Sequence, residues 1–245
     1  INSAKKTLEN GNLVIFPTET VYGLGGDATN INAIKKIYRL KNRPLNNPLI
    51  CHFYNIEKIE ENFEIKSLEY NLANIFWPGP LTIILKKKIT SNIHPILSNN
   101  LHFVGCRIPN NLIALKLLRS INFPIAAPSA NLASKISPTK LNHLSNELIE
   151  KSYLIDGGLT TLGLESTVIK VEKNIIKILR LGSITEEDIK KVLPENKIEK
   201  ANFNNSLSPG NQKKHYSPNL PIRINVKDVK ENEGLLNFGI NNLKS

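Results

Sequence analysis

The chain has 245 residues, 32 Lys and Arg against 21 Asp and Glu for a net charge of +11, 40% apolar residues, no Met and a single Trp. That length suits one large α/β domain, or a domain of roughly 200 residues with an appendage. No apolar run approaches the roughly 20 residues that span a bilayer, which excludes a transmembrane helix, and residues 1–6 lack the apolar stretch of a signal peptide.

Ile, Asn and Lys dominate the composition, so the basic charge is compatible with an anionic partner, a nucleotide or RNA, without marking a nucleic-acid track. Lys86, Lys87 and Lys88 form the densest basic stretch. Cys51 and Cys106 give no CxxC, no metal spacing and no disulfide framework, which predicts a reducing, cytoplasmic setting and no protein-bound metal. The chain starts at Ile1, and a trimmed N-terminus is the expectation.

Short β-branched apolar runs predict strands at 13–16, 49–53, 81–85, 104–108, 125–127, 168–171 and 175–179. Helical patterns lie between them. Ile31, Ile34, Ile37 and Tyr38 share a face behind a candidate Asn30 cap; Leu112, Leu115 and Leu118 share another, and so do Leu141, Leu144 and Leu148. Thr185 to Asp188 has the capping-box pattern of a helix start. The alternation predicts an α/β domain over residues 1–195 with a sheet of mixed direction. Residues 196–221, rich in Asn, Ser, Lys and Pro, read as a linker. Residues 222–226 and 235–238 read as two strands opening a small second domain that stops short at 245.

Several segments place chemistry-bearing groups at strand ends. Residues 17–26, PTETVYGLGG, follow the first strand and combine hydroxyls with flexible backbone, although neither the dinucleotide fingerprint nor the P-loop spacing is present and a plain turn fits as well. Lys41 and Arg43 sit one residue apart just before Pro44, which restricts the backbone around it. A point charge beside a planar fork suits phosphate oxygens, and the same pair would also suit a solvated helix C-terminus. Period-two alternation sets His52 opposite Cys51, and Arg107 opposite Cys106. If both strands share one sheet, His52 and Arg107 face a common side. Ser129 and Asn131 follow the strand at 125–127, Ser137 lies beyond them, and Glu165-Ser166-Thr167 precedes the strand at 168; each is equally at home in a turn or cap. Arg180 ends the strand at 175–179.

Taken together and in this order, PTETVYGLG, K-x-R-P with NPL-x-x-H, VG-x-R-x-P, APSAN, SPT, EST and the SPG to HYSP linker resemble the YrdC-like family of L-threonylcarbamoyladenylate synthases, in its longer branch with a linker and second domain. The resemblance covers nearly the whole chain. It implies a twisted α/β fold around a deep, positively lined cavity. It also implies a nucleotidyl transfer that joins L-threonine, bicarbonate and ATP into threonylcarbamoyl-AMP and releases pyrophosphate, with Mg carried by ATP. A separate tRNA-modifying transferase complex would place the threonylcarbamoyl group on the adenosine beside the anticodon. By the same resemblance Lys41 and Arg43 act on the ATP phosphates and carry the catalysis. Asn47, Ser129, Asn131, Ser137, Arg180, His215 and Tyr216 hold the nucleotide, while Thr20, His52, Arg107 and Ser166 hold threonine. Lys135 stands where the family often has Gly, and Leu181 where Pro is frequent. Two other functions are open to such a chain: a non-catalytic binder of double-stranded RNA or tRNA, and a carbamoyl-transfer domain detached from a hydrogenase-maturation protein. The lack of zinc-finger cysteines and of an acylphosphatase-like segment argues against the second.

Overall fold

The protein is described by a computed structural model over residues 1–132, 135–200, 221–226 and 228–236. His215 and Tyr216, expected to close over the nucleotide, lie outside these residues. The described elements form a mixed sheet of eleven strands: β1 (Val14–Phe16), β2 (Gly23–Asp27), β3 (Ile50–His52), β4 (Phe63–Glu64), β5 (Leu81–Lys87), β6 (Phe103–Arg107), β7 (Ile125–Ala126), β8 (Tyr153–Leu154), β9 (Thr167–Glu172), β10 (Ile175–Arg180) and β11 (Ile198–Lys200). The strand order is β11-β10-β9-β5-β6-β3-β7-β2-β1-β8, with β4 added on β5. Parallel pairs (β3 with β6, β5 with β9, β1 with β8, β10 with β11) are mixed with antiparallel ones, the mixed direction that the chain pattern predicted.

Helices α1 (Asn2–Glu9), α2 (Ile31–Leu40), α3 (Ile56–Glu60), α4 (Ser67–Phe76), α5 (Leu112–Arg119), α6 (Asn146–Glu150) and α7 (Glu186–Val192) cover the sheet. None among the described residues is long and apolar enough to cross a membrane. The strand β1 shows how the layers arise. Leu13 and Ile15 enter the main core with Ile34, Ile37 and Leu72, whereas Val14 and Phe16 join a second cluster with Ala4, Leu8, Ala114 and Leu117. A strand buried on both faces reads as a continuous apolar run, and period two divides it between the two layers. Cys51 and Cys106 belong to the main core, so His52 and Arg107 project to the other side of the sheet.

Asn30 caps α2 by accepting from the N–H groups of Asn32 (2.9 Å) and Ala33 (3.4 Å), and Thr185 with Asp188 forms the capping box of α7. Four readings are corrected. Part of the glycine segment that reads as a turn is the strand β2: its lack of side chains lets neighbours close over it, since a Cβ on Gly25 would lie 2.6 Å from Ile125 Cγ2 and 2.7 Å from Phe16 Cε1. Leu141, Leu144 and Leu148 do not share one helix; a 3-10 turn over Leu141–His143 stops at an extended Leu144, and Ser145 starts α6 afresh. On α5, Ala114, Leu117 and Leu118 take the buried face and Leu112 is exposed, because Asn111 caps the helix at the surface. Residues 222–226 form no strand: Arg223 is tied to Glu233 (2.5 Å) in an irregular segment. Of the strand expected at 235–238, Leu235 and Leu236 are irregular and residues 237–238 lie outside the described residues.

Candidate active site

The two cations at the end of α2 are placed by the way that helix stops. Lys41 is the C-cap, Asn42 takes a left-handed φ of 49°, and the N–H groups of Arg43 and Asn42 reach back to the carbonyls of Tyr38 (2.9 Å) and Arg39 (3.1 Å). This is a Schellman motif, and Asn is one of the few residues that adopt the required conformation cheaply. The left-handed residue between the cations, with Pro44 just beyond it, reverses the chain and sends the two side chains on different paths.

Lys41 is 2% exposed and its Nζ donates to the carbonyls of Ser129 (2.5 Å) and Asn131. Arg43 donates from Nε to the Asn47 carbonyl (3.1 Å) and from Nη2 to Asn47 Oδ1 (2.6 Å) and the Pro48 carbonyl (2.7 Å). The Asn47 carbonyl also accepts from Tyr38 Oη (3.1 Å), so the claw is braced on its own helix. Burial, and then the charge of Arg43, pull the Lys41 ammonium down to about 7, with Glu165 acting the other way. A neutral amine still has two N–H donors, enough for both carbonyls.

On the facing wall, β3 and β6 pair in register, Cys51 with Cys106 and His52 with Arg107. The expected common face is therefore formed by neighbouring residues. Arg107 is held on three sides: Nε donates to the Gly79 carbonyl (3.2 Å), Nη1 to Thr20 Oγ1 (3.0 Å), and Nη2 lies 2.7 Å from Glu19 Oε1 in a buried ion pair. That pair is a close charge contact without hydrogen-bond alignment, for the same atoms have no hydrogen-bond partner. Thr18 folds the loop beneath. Its hydroxyl donates to the Val21 carbonyl (2.7 Å), so Thr20 is the donor in their 2.8 Å contact and presents its lone pairs to Arg107. His52 is buried edge-on to Phe16, with ring centroids 6.1 Å apart. Its Nδ1 has no partner in the protein, and burial with the nearby charge of Arg107 pushes its pKa down to about 3, so the ring is neutral.

Glu165 connects the remaining groups. Its Oε1 accepts from Ser137 Oγ (2.9 Å) and its Oε2 pairs with Arg180 Nη1 (2.7 Å). Arg180 also donates to the Ser166 carbonyl from Nε (3.1 Å) and Nη2 (2.8 Å) and to Ser166 Oγ (3.0 Å), and that hydroxyl contacts Thr82 Oγ1 at 2.7 Å. Beneath them the chain closes tightly: a Cβ on Gly182 would lie 2.3 Å from the Glu165 carbonyl oxygen and 2.4 Å from the Thr167 nitrogen.

One cavity gathers most of these side chains. Thr18, Thr20, Arg43, His52, Arg107, Ser129, Glu165, Ser166 and Arg180 line it together with Gly23, Ala127 and Pro128. Of the residues singled out in the sequence, Lys41, Asn47 and Ser137 stand one contact behind the lining, and Asn131 stands behind Lys41. Asn131 turns its amide N–H groups to the carbonyls of Leu132 (2.9 Å) and Lys135 (2.7 Å), leaving its Oδ1 buried without a hydrogen bond. Glu19 and Glu165 were given no role by sequence reasoning. The signal was present: each immediately precedes a site hydroxyl, Thr20 or Ser166, and an arginine buried on a strand requires a counter-ion.

The model of the Sua5/YciO/YrdC family, described as "Telomere recombination", matches residues 6–182, and one described as "Threonylcarbamoyl-AMP synthase, C-terminal domain" matches residues 184–243. The chain is 41% identical over 229 residues to a threonylcarbamoyl-AMP synthase of Bacillus subtilis (strain 168), an alignment covering 91% of this chain and 66% of that protein. It is 42% identical over 231 residues to the protein of the same name from Pyrococcus abyssi (strain GE5 / Orsay), covering 91% and 67%. The crystal structure of P. abyssi Sua5 complexed with L-threonine matches with a TM-score of 0.81 and 41% identity, over 88% of this chain and 65% of that one. The chain thus spans about two thirds of the length of these relatives.

Proposed function

The chain belongs to the Sua5/YciO/YrdC family, and on that premise we propose that it condenses L-threonine, bicarbonate and ATP into L-threonylcarbamoyl-AMP, releasing pyrophosphate. One observation carries the reading: a single cavity sets the in-register His52–Arg107 pair, with Thr20 and Ser166, against Arg43, Ser129 and Arg180. The first group suits an amino acid and the second a polyanion. The names of the relatives, and the threonine bound by P. abyssi Sua5, support the same assignment.

In this reading the threonine carboxylate meets Arg107, sharing it with Glu19, and the neutral His52 ring forms the wall beside it. Bicarbonate and the threonine amine give a carbamate and water. A carbamate oxygen then attacks the α-phosphorus as the bond to pyrophosphate breaks. No covalent nucleophile is required, so the protein contributes alignment and charge. Arg43 faces the growing negative charge on the phosphates, with Ser129 and Arg180 beside the nucleotide; Lys41 adds its charge from behind the wall, where Asn131 braces it and Asn47 and Ser137 hold lining residues in place. Among the described residues no three His, Cys, Asp or Glu side chains gather as a metal cage. Mg would arrive on the triphosphate as part of the substrate. The product would pass to a separate transferase acting on tRNA in a reducing cytoplasm, where Cys51 and Cys106 remain buried thiols.

The deciding experiment is pyrophosphate release with each substrate omitted in turn. Release that needs ATP, L-threonine and bicarbonate together supports the synthase; release indifferent to threonine, or none, removes it.

A further inference from the structure

Two arginines of the cavity are clamped in the same way. Arg107 pairs with the Glu19 carboxylate (2.7 Å) and bonds the hydroxyl of the next residue, Thr20 (3.0 Å); Arg180 pairs with Glu165 (2.7 Å) and bonds the hydroxyl of the next residue, Ser166 (3.0 Å). They differ in one respect. Glu19 lies behind the wall, whereas Glu165 is part of the lining and also accepts from Ser137 Oγ (2.9 Å). A carboxylate facing a cavity that must take a polyphosphate repels its ligand, unless what it organises outweighs that repulsion.

We propose that Glu165 is a positioning residue for the nucleotide: its two oxygens fix Arg180 and Ser137 in one rigid arrangement that the polyphosphate or adenylate meets ready-made. The proposal rests on the cavity being an ATP and threonine site. Three features support it. The carboxylate links residues 28 positions apart in Ser137 and 15 apart in Arg180, so no local turn could substitute for it. Arg180 is gripped at the Glu165 carboxylate and at the Ser166 carbonyl and hydroxyl, which locks the plane of its fork. The backbone under Glu165 is wedged against Gly182, so the carboxylate is mounted on a fixed base. Ser166 has a separate anchor in Thr82, and threonine binding should be largely insulated from changes at Glu165.

The test is calorimetric binding of ATP and, separately, of L-threonine to the full chain carrying Glu165→Ala or Glu165→Gln. The alanine variant is expected to lose at least tenfold in ATP affinity with threonine affinity within threefold of wild type. The glutamine variant keeps an acceptor for Arg180 and a donor for Ser137, so its ATP affinity should stay within threefold. Its ATP affinity should also change with pH at a lower midpoint, because the charge supporting the Lys41 ammonium is gone. Equal or tighter ATP binding by Glu165→Ala, a parallel loss of both ligands, or a tenfold loss in Glu165→Gln overturns the proposal. If the alanine variant does not fold, Glu165→Ser, which is too short to reach both Ser137 and Arg180, is read by the same criteria. A wild-type protein that binds neither ligand overturns the synthase reading and this proposal with it; normal wild-type binding with an indifferent Glu165→Ala overturns only the role of Glu165.

Discussion

His52 and Arg107 are in-register neighbours on the parallel strands β3 and β6, one residue beyond the equally paired Cys51 and Cys106. The register gives each strand one core residue and one site residue at the same level. A slip by one residue would exchange them, burying a guanidinium among Ile83, Leu85 and Leu72 and turning two thiols to the cavity. The hydrophobic requirement of the core layer thereby fixes the polar geometry of the site.

The neutral state of His52 makes stability depend on acid. Its pKa in the folded protein is about 3, against 6.5 for a free imidazole. Between those values the unfolded chain binds a proton that the folded chain does not, so stability is lost as pH falls from about 6.5 toward 3, at about 1.4 kcal/mol per pH unit from this residue. Above that window His52 has no effect on the slope. Urea unfolding at pH 7, 5.5 and 4 should show a shallower acid limb for His52→Gln than for wild type, and equal limbs would contradict a buried neutral ring.

The claw should act on turnover more than on folding. Lys41→Ala and Arg43→Ala are expected to lower threonine-dependent pyrophosphate release by about 100-fold or more, the scale of losing one preorganised charge-stabilising donor. Lys41→Arg should not restore it, because a guanidinium does not fit a buried point between two carbonyls. Lys41 also links binding to protons. With its pKa near 7, an incoming phosphate favours the ammonium, so ATP binding at pH 8 should take up protons and binding at pH 6 should take up few. Titration in two buffers of different ionisation enthalpy measures this, and Lys41→Ala should abolish it.

The seven apolar strand runs, the Asn30 and Thr185 caps and the opposed faces of Cys51/His52 and Cys106/Arg107 were legible because period and propensity are local. The strand β2 was not. Its five residues hold three glycines, and it is a strand through its pairing with β1 and β7, which brings Phe16 and Ile125 over Gly25 where a side chain would not fit. The partners of Arg107 and Arg180 were hidden for a related reason: Glu19 and Glu165 each look like one more polar residue in a loop until folding brings a cation from 88 or 15 residues away in the chain. The left-handed Asn42 was written in the sequence as Lys-Asn-Arg-Pro but reads equally well as a plain basic turn.

Removing one member of the buried Glu19–Arg107 pair should cost far more than the pair contributes. Both side chains are at most 7% exposed, and Glu19→Ala leaves a buried guanidinium without its counter-charge. The expected loss is about 3–5 kcal/mol in unfolding free energy. Replacing both partners, Glu19→Leu with Arg107→Met, should recover a large part of that stability while abolishing threonine binding. Chemical denaturation of Glu19→Leu, Arg107→Met and the double completes the cycle; a double mutant as unstable as the sum of these singles would show that the two charges do not compensate each other.

Gly182 ties the nucleotide wall to the backbone rather than to any side chain. An added methyl would lie 2.3 Å from the Glu165 carbonyl oxygen, 2.4 Å from the Thr167 nitrogen and 2.6 Å from the Ser166 carbonyl carbon, all of them main-chain atoms that cannot rotate away. Gly182→Ala must therefore move either the turn after Arg180 or the segment carrying Glu165 and Ser166. Overpacking of this kind costs about 1–3 kcal/mol. Because the displaced segment carries the Ser166 hydroxyl and the Arg180 anchor, ATP and threonine affinities should fall together by about tenfold or more, a displacement of order 1 Å being enough for such losses. The distinguishing measurement is both dissociation constants on protein shown by circular dichroism to be folded. Losses confined to stability would mean that the turn yields and the wall stays in place.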